Sequence, residues 1–446
     1  MKKLFLLFIT ILPLVYSCEK DDPQPEPTNN NNNNTTTTGV TPAMARDSLY
    51  YILKEWYLWY DKMPDVKKEN YSDPYKLLEA MRYKELDRWS FVADYDEFLK
   101  EMEGSFVGHG IRIGVDQGGK ARIAMIYNKS PLYAQGVRRG WIVKTINNVD
   151  IAAVMKAGDA TAYNNALGPS TAGITNNFVF TKPDGNDVNI SSAKQSFTVN
   201  TVLAYDTLQL KSGVTGHLVF EQFIDPSRAE LETAFAYFKQ NNVKDLILDL
   251  RYNGGGYLDI AQTLASYIGG NSLAGTTFAK FQYNDKHPEQ SAKSTYLFKT
   301  TQYSLGLKRL VVITSRGTAS ASEAVMNGLS PHLTVVSVGD TTHGKPTGMN
   351  GWAVGKKYFF WPVTFKTVNS AGQGEYFKGI LPNKLVSDDI THDFSDRNEA
   401  NLKEAIRYLE NGAFTAKSFS IFKNGPNYSE KPDWMNNAFV RPEDTK

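Results

Sequence analysis

Three short segments in the second half of the chain carry residue types that could do chemistry together. The first is the apolar run Asp245-Leu246-Ile247-Leu248-Asp249-Leu250, which stops at Arg251-Tyr252-Asn253-Gly254-Gly255-Gly256. Glycines after a buried strand let backbone N–H groups face a ligand with no Cβ in the way, so an anion could be held there; a plain glycine turn is the competing reading. The second segment, Thr318-Ala319-Ser320-Ala321-Ser322-Glu323-Ala324-Val325, follows a strand-like run at 310–314 and opens a helix. A Ser320 oxygen at that helix start would lie near the positive dipole end and near unpaired N–H groups, that of Ala321 included, which suits an oxyanion. It equally suits an N-cap, with Glu323 completing a capping box. The third segment, Gly339-Asp340-Thr341-Thr342-His343-Gly344-Lys345-Pro346-Thr347-Gly348-Met349, follows a strand at 333–338. Its glycines and lysine fit the spacing of a phosphate-binding loop. Pro346, however, stands where a Mg²⁺-binding hydroxyl is needed and removes an N–H from the start of the helix that should follow, so nucleotide binding is disfavoured.

The elements around these loops alternate strand and helix: strand at 216–220, a helix with Leu231, Phe235 and Phe238 on one face, then the buried strand, as in an α/β core. Upstream, short alternating runs at 111–115 and 121–127 flank Gly118-Gly119 and read as β-strands joined by a turn. The stretch Ser130-Pro131-Leu132-Tyr133-Ala134-Gln135-Gly136-Val137-Arg138-Arg139-Gly140-Trp141-Ile142-Val143 follows, and residues 104–197 resemble a PDZ domain. In that family a peptide C-terminus adds as a strand while backbone N–H groups hold its carboxylate. The resemblance assigns that role to the loop Gly108-His109-Gly110 and the strand Ile111-Arg112-Ile113. Trp141 follows Gly140 where such domains commonly carry aspartate, and 153–173 looks like an insertion. A spacer role is the competing reading. Residues 42–103, with Leu49, Leu53, Trp56 and Tyr60 at helical steps, read as a small helical domain whose aromatic cluster Trp56, Tyr57, Trp59 and Tyr60 is core and which carries no chemistry.

Taken in order, the glycine-run segment, the Thr318–Glu323 segment, Gly344-Lys345 and the closing Gly379-Ile380-Leu381-Pro382-Asn383 make residues 104–412 resemble the carboxyl-terminal processing peptidases, or tail-specific proteases. What the resemblance implies is a serine endopeptidase with a Ser/Lys dyad: Ser320 as nucleophile, Lys345 as general base, and oxyanion donors on the N–H groups of Gly256, less favourably Gly255, and Ala321. A lysine serves as base only if burial lowers its pKa from ~10.4 toward neutrality, so Lys345 must be desolvated. Family members carry glutamine four residues after the lysine; here it is Met349, with Thr342 or His343 as candidate substitutes. His343 as the base is a minor variant, and a non-catalytic peptide- or ligand-binding lipoprotein is the alternative function.

Composition sets the frame. The chain has 446 residues, 49 Lys+Arg against 47 Asp+Glu, and a formal charge of +2, so no global field recommends nucleic acid. Hydrophobic content of 41% and charged content of 22% exclude wholesale disorder and a multi-span membrane protein. One cysteine excludes a disulfide framework and a cysteine-based zinc cluster; no metal or other cofactor is expected. Lys2 and Lys3, an apolar run at 4–16 and then Ser17-Cys18 resemble a lipoprotein signal ending in a lipobox. Cys18 would then carry the lipid and anchor the protein in a bacterial cell envelope, on a leaflet that stays open. The expected organisation is a multidomain α/β chain: signal 1–17, an Asn/Thr/Pro-rich tether 18–41, the helical domain 42–103, the PDZ-like β-rich domain 104–197, a ββα-type (crotonase/ClpP-like) serine peptidase core 198–412, and a tail 413–446 interrupted by Pro426, Pro432 and Pro442. Expected partners are peptides or proteins recognised through their C-termini and, through the lipid, a membrane. Oligomeric state is not legible.

Overall fold

The computed structural model describes residues 39–416, 428–429 and 438–440. The residues expected to form the signal, Cys18, nearly all of the expected tether and most of the tail lie outside the described residues. The run Asp245–Asp249 is buried along its whole length because both faces of its sheet are covered. Leu246 and Leu248 belong to one buried cluster with Leu231 and Phe235 of helix Ser227–Gln240, Leu264 of helix Leu258–Gly269 and Val325 of helix Ala321–Leu329. Ile247 points the other way, into a cluster with Val311, Ile313, Val338 and, from helix Ala400–Asn411, Leu402, Ala405 and Leu409. A strand apolar on both faces loses the polar alternation of a half-exposed one, which is why it reads as a continuous run.

This sheet has six strands, in the order Val202–Leu210, Gly213–Phe220, Asp245–Asp249, Arg309–Thr314, Thr334–Gly339 and Lys384–Leu385. The first pair is antiparallel and the rest are parallel. Asp249 pairs with Ile313, and Thr314 with Gly339, so three neighbouring strands end level and release their loops at one edge. The carboxyl ends of parallel strands are where α/β sheets gather ligand sites.

Two of those loops lead into a second six-stranded sheet: Gly256–Tyr257, Ala438–Val440, Thr347–Asn350, Val363–Val368, Thr277–Tyr283 and Thr295–Leu297, in that order. The chain after Pro346 is therefore strand, where a phosphate loop would continue into helix. The fold is mixed α/β.

Within residues 104–197 one sheet contains the strands Ile111–Val115, Ala121–Ile126, Ile142–Ile146, Thr175–Thr181 and Asp187–Ala193, with the short helix Pro131–Ala134 capped by Ser130. The 153–173 stretch spans the end of helix Ile151–Ala157 and helix Ala160–Leu167, which bury Met155, Tyr163 and Leu167. In the 42–103 region helix Pro42–Trp56 starts at Thr41, whose hydroxyl accepts the Met44 N–H, and buries Ala45, Leu49 and Leu53. Of the aromatic cluster, Tyr57 is the fully buried member, while Trp56 is half-buried and stacks on His287 at 3.7 Å. The region also holds strand Phe91–Asp94, antiparallel to Tyr358–Trp361. Four residues with a partner so distant in sequence leave no local signal.

Candidate active site

Arg251 leaves the end of the central strand with its guanidinium buried. Its Nε donates to Asp249 at 2.9 and 3.0 Å, Nη1 to Glu399 and Asp388 at 2.8 Å each, and Nη2 to Glu399 at 3.1 Å. Burial alone would push the Asp388 and Glu399 carboxyls up, but the guanidinium charges of Arg139 and Arg251 outweigh it and hold both below their ordinary values. These carboxylates support folding above the ordinary carboxylate range and lose that contribution as acid protonates them. Arg251→Met strands several buried carboxylates, so we expect it to destabilise the protein by roughly 3–5 kcal/mol. Urea unfolding of the variant checks this, and a change under ~1 kcal/mol would contradict it.

The network fixes the following loop. Asn253 accepts the Gly255 N–H at 2.9 Å, and its own side-chain amide donates to the Phe220 carbonyl at 3.1 Å. The Gly255 N–H is thus engaged, which leaves Gly256 the better oxyanion donor of the two. At Gly256 φ is +132°, and a Cβ there would collide with the Phe223 carbonyl, so only glycine fits.

The serine loop is stitched to this one. The Thr318 hydroxyl donates to the Leu250 carbonyl at 2.7 Å, the Ala319 N–H to the Asn253 carbonyl at 3.0 Å and the Ser322 hydroxyl to the same carbonyl at 3.0 Å. Ser320 sits immediately before helix Ala321–Leu329 at φ +60°, ψ −108°, a strained backbone for a residue with a Cβ. Such a sharp strand-to-helix turn lifts a side chain clear of its neighbours. Ser320 is buried, and its Oγ has no hydrogen-bond partner among the described residues. Ser320 and Glu323 together form the capping box of this helix, of which the Glu323 half, accepting the Ser320 N–H, is the well-formed bond. Ala321 is the first helical residue, where backbone N–H groups lack intrahelical acceptors.

Glu323 joins the serine loop to the lysine loop. Its Oε2 accepts the backbone N–H groups of Ser320 and Lys345, each at 2.8 Å; its Oε1 accepts the Gly344 N–H at 2.7 Å and the Thr342 hydroxyl at 2.5 Å. Sharing one oxygen holds the backbone nitrogens of Ser320 and Lys345 within twice that 2.8 Å separation. Burial pushes the Glu323 carboxyl up, and the four donors pull it back. The capping box foretold only the Ser320 bond; the other three come from residues that no sequence spacing connects.

Lys345 is buried, with Nζ 3.7 Å from the Met349 sulfur and 5.7 Å from the centre of the Trp89 ring. Desolvation pushes its pKa well below the ordinary lysine value, with the charges of Asp87 and Glu323 pulling weakly the other way. The helical region therefore does reach the chemistry, contrary to the expectation that it carries none. Asp87 accepts the Tyr57 hydroxyl at 2.7 Å and the N–H groups of Trp89 and Ser90 at 2.9 Å, which fixes the Trp89 indole beside the amine. A two-residue signal such as Arg88-Trp89 could not announce this from sequence.

The candidate substitutes for the missing glutamine are committed elsewhere. Thr342 donates to Glu323 and accepts the Ile380 N–H at 2.7 Å. His343 receives the Trp89 indole N–H on Nε2 at 3.1 Å, and burial, with Arg88 and Lys345 adding to it, lowers its pKa to about 4. Met349 itself is the amine's neighbour. Within residues 104–197 the His109 ring is turned inward to Asn176 at 2.7 Å, and its carbonyl accepts the Ser130 hydroxyl at 2.5 Å, so the ring is not presented at the loop surface. Gly108 pairs with Gln195, and Ile111 and Ile113 lie on the strand beside the loop. Gly110 lies at the turn, with φ +64°.

Residues 214–386, which contain Ser320, Lys345 and Gly256, match the model of peptidase family S41, and residues 45–91 match that of the peptidase S41 N-terminal domain. Residues 214–386 are those of a peptidase family S41 domain. Among curated S41 relatives, it is 22% identical over 317 residues to the carboxy-terminal processing protease CtpB of Bacillus subtilis, covering 70% of this chain and 61% of that protein. To CtpA of the same organism it is 24% identical over 310 residues, 66% of this chain and 60% of the relative. The chain thus spans about 60% of the length of these relatives. In fold it is similar to an S41 protease from Bacteroides fragilis, with a TM-score of 0.68 at 20% identity over 82% of this chain and 97% of the other.

Proposed function

We propose that this protein is a lipid-anchored serine endopeptidase of the carboxyl-terminal processing type, working through Ser320 and Lys345. The observation that carries the reading is the shared Glu323 oxygen, which holds a strained, unbonded serine next to a buried lysine of lowered pKa. Neutral Lys345 Nζ takes the proton as Ser320 Oγ attacks the scissile carbonyl. The N–H groups of Gly256 and Ala321 receive the oxyanion. Collapse breaks the C–N bond, the departing amine takes the proton from Lys345, and an acyl-enzyme remains; Lys345 Nζ then takes a proton from the attacking water and returns it to Ser320 Oγ as the ester bond breaks and the acid leaves. Lysine is favoured over His343 because the Nε2 lone pair of that ring already holds the Trp89 N–H. The anchor rests on Cys18 and its preceding signal.

A fluorophosphonate probe separates this from a peptide-binding lipoprotein, the reading that Met349 in place of glutamine favours. Peptidase function predicts a covalent adduct on Ser320 by mass spectrometry; a binder gives none. For the PDZ-like region we propose selection by terminal carboxylate. Charged hydrogen bonds of this type contribute ~1.5–3 kcal/mol, so amidating a substrate's C-terminus is expected to lower kcat/KM by roughly tenfold to a hundredfold. Equal values for paired free-acid and amidated peptides would reduce the region to a spacer.

A further inference from the structure

The strand Ile111–Val115 has Ala121–Ile126 on one side, and its other edge is already occupied. Tyr428 and Ser429, from the protein's own tail, pair with it in antiparallel register, Tyr428 opposite Ile113 and Ser429 opposite Arg112. The direction is informative: from Tyr428 to Ser429 the chain advances from Ile113 towards Arg112, that is, towards the Gly108–Gly110 loop. A peptide whose carboxylate was to reach that loop would run the same way on the same edge.

The tail is moored again further on. Ala438–Val440 inserts between Gly256–Tyr257 and Thr347–Asn350, with Ala438 opposite Gly256 and Phe439 opposite both Tyr257 and Met349. Phe439 is fully buried, its ring 4.7 Å from that of Trp361 and 5.5 Å from that of Phe98. The two moorings differ in strength. Phe439 anchors a strand in the second sheet, whereas the pairing at Tyr428–Ser429 is only two residues long.

We infer that the C-terminal segment is a built-in competitor of substrate, its Tyr428–Ser429 pair adding as a strand to the edge of Ile111–Val115 so that an incoming peptide must displace it. The inference rests on the peptide-recognition reading of that edge. Because Phe439 tethers the segment, the pair acts at an effective concentration in the millimolar range, enough for a weak two-residue strand to compete with dilute peptide. A longer peptide with a free carboxylate replaces it, and the tail rebinds after release.

The test uses the full chain carrying Ser320→Ala, so that bound peptide is not cleaved, with Tyr428→Pro and Ser429→Pro introduced separately. Proline removes a backbone N–H and opposes strand pairing without touching Phe439. Anisotropy of a fluorescein-labelled peptide with a free apolar C-terminus reads affinity, and hydrogen exchange over residues 111–113 reads the edge. Kd is expected to fall about tenfold in either variant while exchange at 111–113 rises and Tm holds. Binding with the same Kd in parent and variants would overturn the competitor and leave peptide recognition standing. Absence of binding in parent and variants alike would overturn the recognition reading and the competitor with it. Tyr428→Gly combined with Ser429→Gly, which weakens the strand but keeps its N–H groups, should move Kd in the same direction by less, so a variant that lost binding through misfolding would not be mistaken for either result.

Discussion

Replacing Ser320 with alanine is expected to abolish peptide cleavage and fluorophosphonate labelling, a loss on the order of 10⁶ in kcat, as for removal of a serine nucleophile elsewhere. Stability should hardly change. The Ser320 Oγ makes no hydrogen bond among the described residues, and the loop is held through its backbone N–H on Glu323, which alanine keeps. The expected cost is below ~1 kcal/mol, less than that of a lost helix cap. Thermal unfolding and peptide digestion followed by mass spectrometry check both halves. Unchanged turnover by folded Ser320→Ala would remove serine from the mechanism, and loss of activity together with a large fall in Tm would mean that Ser320 serves the fold.

The second large effect is at the amine. Lys345→Met keeps an apolar chain of similar length against Met349 and Trp89 but has no proton acceptor, and cleavage should fall by at least roughly 10³. Lys345→Arg should be as inactive, because a guanidinium stays protonated at any working pH. The methionine variant also makes a stability prediction of definite sign. Burial lowers the pKa of Lys345, so over the interval between its folded and unfolded values the unfolded chain binds a proton that the folded chain does not. Stability then rises with pH toward ~10.4, and below that the buried lysine costs the fold free energy. Lys345→Met removes the cost, and its Tm should exceed that of the wild type most at low pH, the gap closing as pH rises. An active Lys345→Met enzyme, or one less stable at low pH, would contradict the account.

How far the sequence could be read follows from which contacts are local. Asp245–Asp249 was legible because a strand buried on both faces must be apolar throughout, and Ser320 because a strand, a glycine and a helix start lie within a dozen residues of it. The requirement that Lys345 be desolvated followed from lysine chemistry alone. What desolvates it did not: Trp89 lies in another region, and Met349 looked only like a missing glutamine. Glu323 was legible as a cap for one N–H and opaque as the clamp between two loops, since its other three donors belong to Thr342, Gly344 and Lys345. The tail was read through its prolines, which exclude a long helix and say nothing of strand. That Ala438–Val440 completes a sheet depends on partners at Gly256–Tyr257 and Thr347–Asn350, fixed only once the chain has folded.

The central claim is that buried, neutral Lys345 activates Ser320. The rate of fluorophosphonate labelling of Ser320 against pH, in wild type and Lys345→Met, tests it without need of a natural substrate. The wild-type rate should rise with pH along a single-proton curve whose midpoint lies well below the ~10.4 of a free lysine, and Lys345→Met should lose both the rate and the curve. A curve of unchanged midpoint and height in Lys345→Met would show that another group takes the serine proton.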